Sequence, residues 1–116
     1  MSKIIRITDI VNIAMTEEAG KALRQLMAKA FNAYNEIVLD FDTIELFATP
    51  FFNASIGYFV LNLSPEKYKN SISVINLTDL GMETYLHSLD NAIAIYNKKE
   101  DTAEIGKITR DTIEEQ

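Results

Sequence analysis

The sequence predicts an α/β domain, a small sandwich in which a mainly parallel β-sheet is covered by helices, with elements in the order βαβαβα. Two observations carry that reading. Short runs rich in β-branched residues alternate with stretches of helical period, and the connections are short, as parallel sheets with right-handed crossovers require. Residues 36–42, Glu-Ile-Val-Leu-Asp-Phe-Asp, follow a helical stretch at once. Such an apolar run has the character of a strand buried on both faces. The 116 residues are 47% hydrophobic, with 4 Gly and 2 Pro. A chain of that length forms one domain and buries roughly two-thirds of its unfolded surface. The expected division is a domain over 1–100 and a polar, acidic tail over 101–116.

The elements follow in order. Residues 3–11 read as a strand with one wet face, since Arg6 separates Ile5 from Ile7, and Asp9 and Asn12 mark a bend. Thr16 with Glu17 and Glu18 starts a helix, a hydroxyl cap followed by carboxylates at the positive end of the dipole. Leu23, Leu26, Met27, Ala30, Phe31 and Tyr34 then recur at helical spacing, an amphipathic helix of about five turns. Gly20 in its first turn suggests a close helix–sheet approach. The strand over 36–42 should be interior, flanked by the strands near Lys3 and Ser71. At Thr49-Pro50 the hydroxyl reads as the N-cap and the proline as the first helical residue. Phe52, Ile56, Phe59 and Leu63 make the core stripe of the helix that follows. Phe51, Ala54, Tyr58 and Leu61 widen its apolar surface, and Gly57 allows close packing. Ser64-Pro65 ends it, residues 66–70 read as a charged loop, and residues 71–77 as a strand. Thr78 or Asp79 caps a third helix with an apolar seam at Met82, Leu86, Leu89, Ile93 and Tyr96.

Composition excludes several chemistries. A net charge of −6, with basic residues scattered, argues against binding a phosphate backbone. The absence of cysteine removes thiol catalysis, disulfides and thiolate metal sites. His87 stands alone, so a histidine metal site is not expected. No run reaches the length of a membrane span and no signal-peptide pattern opens the chain, so a cytoplasmic protein is expected. Asp40 and Asp42, with Glu45 behind them, fall at the carboxyl end of the 36–42 strand, where open α/β sheets place their ligands. Three carboxylates there can in principle hold Mg²⁺. The competing reading is that Asp40 accepts hydrogen bonds from nearby backbone amides, and no glycine-rich phosphate loop accompanies the cluster. Neither cofactor nor metal is expected.

The stretch Val-Leu-Asp-Phe-Asp-Thr-Ile-Glu-Leu-Phe-Ala-Thr-Pro-Phe-Phe-Asn-Ala-Ser-Ile-Gly over 38–57 resembles a bacterial STAS-like family of uncharacterised function. Residues 16–20 and 76–78 also look like that family, and the likeness spans most of 3–97. Members are similar to the anti-sigma factor antagonists, compact α/β domains that bind a kinase-type ATPase. Those antagonists carry Asp-Ser-Ser-Gly before the central helix, one serine being phosphorylated by the partner. Ala48, Thr49, Pro50 and Phe51 stand at those positions here, so the resemblance leaves Thr49 as the one phospho-acceptor. It implies a non-enzymatic regulatory module that contacts a protein partner through Thr49, Phe51, Ser55 and Tyr58. Phe51 and Tyr58 lie off the core stripe and are expected as exposed aromatic anchors. The alternative is a sensor of a small ligand or nucleotide at Asp40 and Asp42. An enzyme is the least supported class, with no nucleophile and base paired in the sequence.

Overall fold

The computed structural model describes residues 2–114, with side-chain surroundings described for residues 2–99. Its sheet has three parallel strands, β1 (Ser2–Arg6), β2 (Glu36–Asp40) and β3 (Ile72–Ile75), in the order β1-β2-β3. The strand expected to be interior is interior. Ile5 pairs with Leu39 and Ile37 with Ile72, and all four side chains are buried. Their neighbours on the opposite face are not: Ile4 is 57% exposed, Ile75 is 40% exposed, and Val38 is half-buried. The helices therefore cover one face of the sheet, where the apolar run suggested burial on both. The physical reason is the strand order. A chain that steps 1-2-3 through right-handed crossovers carries each crossover helix over the same face.

β1 stops at Arg6 and gives way to a 3₁₀ turn, Ile7–Asp9. The chain then passes under the loop before the central helix, where Ala14 N–H donates to Leu46 O and Ala48 N–H donates to Ala14 O, each at 2.9 Å. Helix α1 (Glu17–Ala30) is capped as expected, the Thr16 hydroxyl accepting from Ala19 N–H at 3.1 Å. Only Gly20, Leu23 and Met27 of α1 are fully buried; Leu26 faces outward. Gly20 does mark a close approach, but against another helix rather than the sheet. A Cβ built there would lie 2.4 Å from the Phe51 carbonyl oxygen and 2.8 Å from the Ala54 Cβ.

The central helix is composite: α2 (Thr49–Phe52), a π-helical segment (Asn53–Gly57) and α3 (Tyr58–Leu63). α1 packs on one flank of it and the last helix on the other. Phe51, Phe52, Ser55, Ile56, Phe59 and Val60 are consequently all buried. Phe52 sits amid Phe41, Phe47, Phe51 and Tyr85 with ring centroids 5.3–6.1 Å apart. Such ring pairs each contribute about 0.5–1.5 kcal/mol beyond area burial.

Residues 66–70, read as a charged loop, belong to a helix, α4 (Pro65–Ser71). Ser64 accepts from Lys67 N–H at 3.3 Å and Pro65 occupies the first turn. The Ser-Pro step that ends one helix thus begins the next, by the same chemistry as a hydroxyl cap before proline. Tyr68 anchors α4, its hydroxyl hydrogen-bonded at 2.5 Å to that of Tyr85 inside the core. Helix α5 (Asp79–Glu114) starts at the Thr78 cap, whose hydroxyl accepts from Gly81 N–H at 3.0 Å. Its buried face is Gly81, Tyr85, Ser88, Leu89 and Ala92. The expected seam is displaced: Leu89 is buried, Ile93 and Tyr96 are half-buried, and Met82 and Leu86 are exposed. Small residues decide the contact, because Gly81 lets the helix close on the Phe47 ring and Ala92 meets the central helix near Gly57. The backbone of α5 runs on to Glu114, so the polar stretch after 101 prolongs a helix. What its side chains contribute to packing lies outside the described residues.

Candidate functional site: the central helix and the strand ends

The loop before the central helix differs from its expected capping. Ala48, with extended backbone, is the N-cap, Thr49 is the first helical residue and Pro50 the second. No side chain caps this end, so the half-buried Thr49 hydroxyl is not committed to a backbone N–H. Phe51 and Ser55 were expected at the contact surface, yet both are wholly buried. Phe51 lies under the Gly20 contact, and the Ser55 hydroxyl donates to the Phe51 carbonyl at 2.8 Å within the π segment. Burial takes both off any contact surface. Tyr58 is different: it is 40% exposed, and the Arg24 guanidinium carbon lies 4.6 Å from its ring centroid. An exposed cation–π contact of this kind contributes about 0.5–1 kcal/mol and holds the ring in place. The ring also meets that of Phe59 in a T-shaped contact, centroids 5.2 Å apart.

A groove of about 460 Å³ runs between α1 and the central helix. Pro50, Asn53 and Tyr58 form one wall, Glu17, Lys21 and Arg24 the other. Arg24 and Asn53 were missed in the sequence reading. The available signal was the polar stripe Glu17, Lys21, Arg24 at helical spacing on α1; its facing Tyr58 depends on how two helices pack.

At the carboxyl ends of the strands a smaller polar pocket of about 220 Å³ is lined by Arg6, Thr8, Asp40, Asp42 and Thr43. The structure brings Asp40 and Asp42 together there, but one Asp40 oxygen is already engaged. It accepts from Asp42 N–H and from the Asn76 side-chain amide, both at 2.9 Å. The Asn76 hydrogen bond first and then the Asp42 N–H hold the Asp40 carboxyl below the usual carboxylate range against the opposing effect of desolvation, with the nearby Arg6 charge adding least. Asp40 ties the β2 loop to the β3 loop, where Thr43 and Asn76 both adopt positive φ. Among the described residues no group of three or more His, Asp or Glu could hold a metal ion, and Glu45 points to solvent away from the pocket lining.

A single three-stranded parallel sheet with helices on one face defines a small α/β domain. Residues 19–82, more than half of the chain, match a family model described as a STAS-like domain of unknown function. The chain belongs to that family. The match runs from the first turn of α1 to the first turn of α5, and takes in the whole central helix. No curated protein and no solved structure matched the chain. Among the described residues no helix is long and apolar enough to cross a membrane.

Proposed function

We propose that this chain is a non-enzymatic regulatory module that binds a protein partner through the surface running from Thr49 and Pro50 to Tyr58. Membership of the STAS-like family supports a regulatory binding role. The observation that carries the location is the half-exposed Tyr58 ring held by Arg24 beside a groove. Tyrosine and arginine are the residue types that most often dominate interfaces, and a ring fixed before contact loses little entropy on binding. The resemblance to anti-sigma factor antagonists makes a kinase-type ATPase the proposed partner, with Thr49 as the proposed phospho-acceptor.

Site-specific photo-crosslinking tests this. With a benzophenone amino acid at position 58, the cell should yield a discrete adduct with a kinase-type ATPase; the same probe at Glu66 on α4 should not. Incubating the captured pair with ATP should place phosphate on Thr49, read by mass spectrometry. Equal labelling from positions 58 and 66 would remove the Tyr58 surface from the account.

A small-ligand reading has one observation in its favour, the polar pocket where Arg6 faces Asp40 and Asp42. A nucleotide bound there should raise the melting temperature by mass action. That rise should vanish in Arg6→Gln.

A further inference from the structure

β1 is an edge strand. It pairs with β2 on one side, and among the described residues no strand pairs with its outer side. Alternate backbone groups of a parallel strand point to each side, so the outer edge of Ser2–Arg6 is a row of free donors and acceptors. Such an edge is a template for an added strand. Beside it, α1 forms the second wall of a groove of about 450 Å³, larger than the pocket at the strand ends. Ile5, Leu26, Ala30 and Tyr34 provide apolar lining, and Lys3 and Lys29 stand on its rim.

The charge around this groove selects its occupant. The chain as a whole carries −6. Yet Lys3, Arg6 and Lys29 line the groove against one carboxylate, Asp9. Among the described residues the one salt bridge is Lys21–Glu17, so neither Lys3 nor Lys29 is ion-paired. Arg6 is shared with the field of Asp40. A second copy of this chain would bring another set of the same cations against the first, which disfavours β1–β1 pairing. An acidic strand would neutralise them.

We infer that the β1 edge and the α1 groove receive an extended segment of a partner protein as a fourth strand, one that carries both apolar and acidic residues. Strand periodicity sends alternate side chains to opposite faces. Those turned toward α1 meet Ile5, Leu26 and Ala30 beside the rim cations Lys3 and Lys29, and those turned to the open face meet Ile4 and Arg6. A five-residue β1 spans about 16 Å, so about five residues of the partner are ordered. This surface is separate from the Tyr58 groove and stands or falls independently of it.

The test titrates the isotopically labelled full chain with an acetylated Glu-Val hexapeptide and, separately, its Lys-Val counterpart, and follows amide shifts and hydrogen exchange. The Glu-Val peptide should bind at least tenfold more tightly, with new protection confined to residues 2–6 and shifts over residues 26–34. Lys3→Glu with Lys29→Glu, both exposed positions, should reverse the preference, while Tyr58→Ala leaves it unchanged. Lys3→Gln with Lys29→Gln should weaken binding with no reversal, and circular dichroism reports whether each variant keeps its fold. No binding of the acidic peptide, equal binding of the two, or protection away from β1 overturns the inference. So does a dimer in sedimentation whose β1 amides are already protected, because a second copy is then the occupant.

Discussion

Gly20→Ala is the sharpest probe of how this domain is held together. In a free helix the change is favourable by about 1 kcal/mol, since alanine is the best helix former and glycine among the worst. Here the added Cβ would sit 2.4 Å from the Phe51 carbonyl oxygen and 2.8 Å from the Ala54 Cβ. Neither neighbour is the far end of a flexible side chain, so α1 and the central helix must move apart. Overpacking of this kind costs about 1–3 kcal/mol, and contact with a backbone atom belongs at the upper end. The net expectation is destabilisation by about 2 kcal/mol, a fall in melting temperature of roughly 6–10 °C for a domain of this size. Gly57→Ala is the internal control. Its Cβ would lie 3.7 Å from the Phe52 oxygen and 3.9 Å from the Ala92 Cβ, ordinary contact distances, so stability should hold or rise. Urea and thermal melts of both variants decide the matter. If Gly20→Ala is as stable as the parent, the close α1 contact is not what positions the central helix. The same separation should also loosen Arg24 from Tyr58, which the position of the Tyr58 ring resonances would report.

The remaining expectations are briefer. Tyr58→Ala should cost no more than about 1 kcal/mol, whereas Phe51→Ala should cost about 3–5 kcal/mol, which separates the exposed ring from the core ring in urea melts. Tyr68→Phe alone leaves the buried Tyr85 hydroxyl without its partner and should cost about 1–3 kcal/mol; with Tyr85→Phe added, much of that loss should return, and a double-mutant cycle measures the coupling. Burial raises the pKa of both phenols above 10, the more so for Tyr68. Their contribution is therefore complete below about pH 10 and is lost as pH rises through the folded values, visible as alkaline unfolding that absorbance at the tyrosinate band should track. The Asp40 carboxyl titrates below 3.8 in the folded chain, so its stabilisation is present above about pH 4 and fades as pH falls through the folded value; Asn76→Ala should move its NMR titration midpoint upward. Ser88→Ala should be neutral or stabilising, because the Ser88 hydroxyl is buried without a hydrogen-bond partner.

Much of this protein could be read from local chemistry. The caps at Thr16 and Thr78, the interior strand at 36–40 and the parallel α/β class all follow from propensity, capping and periodicity, which act over a few residues. The Asp40 turn was legible as one of two readings, and its hydrogen bond to Asp42 N–H is local. Its second bond, to Asn76, spans 36 residues and left no trace in the sequence. The charged composition of 66–70 hid α4, because the single buried residue that docks it, Tyr68, finds its partner 17 residues away on α5.

What the tertiary structure alone decided is which apolar side chains are free. Phe51 and Tyr58 lie seven residues apart on nearly the same side of an ideal helix, and the sequence treats them alike. Three-dimensional packing does not: α1 closes on Phe51 at Gly20, while at Tyr58 the groove has opened and Arg24 lies against the ring. Between them the π segment shifts the phase of the helix, which no pattern of period 3.6 anticipates. The uncovered sheet face has the same origin, since hydrophobic alternation along one strand records that a face is apolar and is silent on whether a second layer exists to cover it. Burial is a property of pairs of elements, and the sequence by itself specifies elements one at a time.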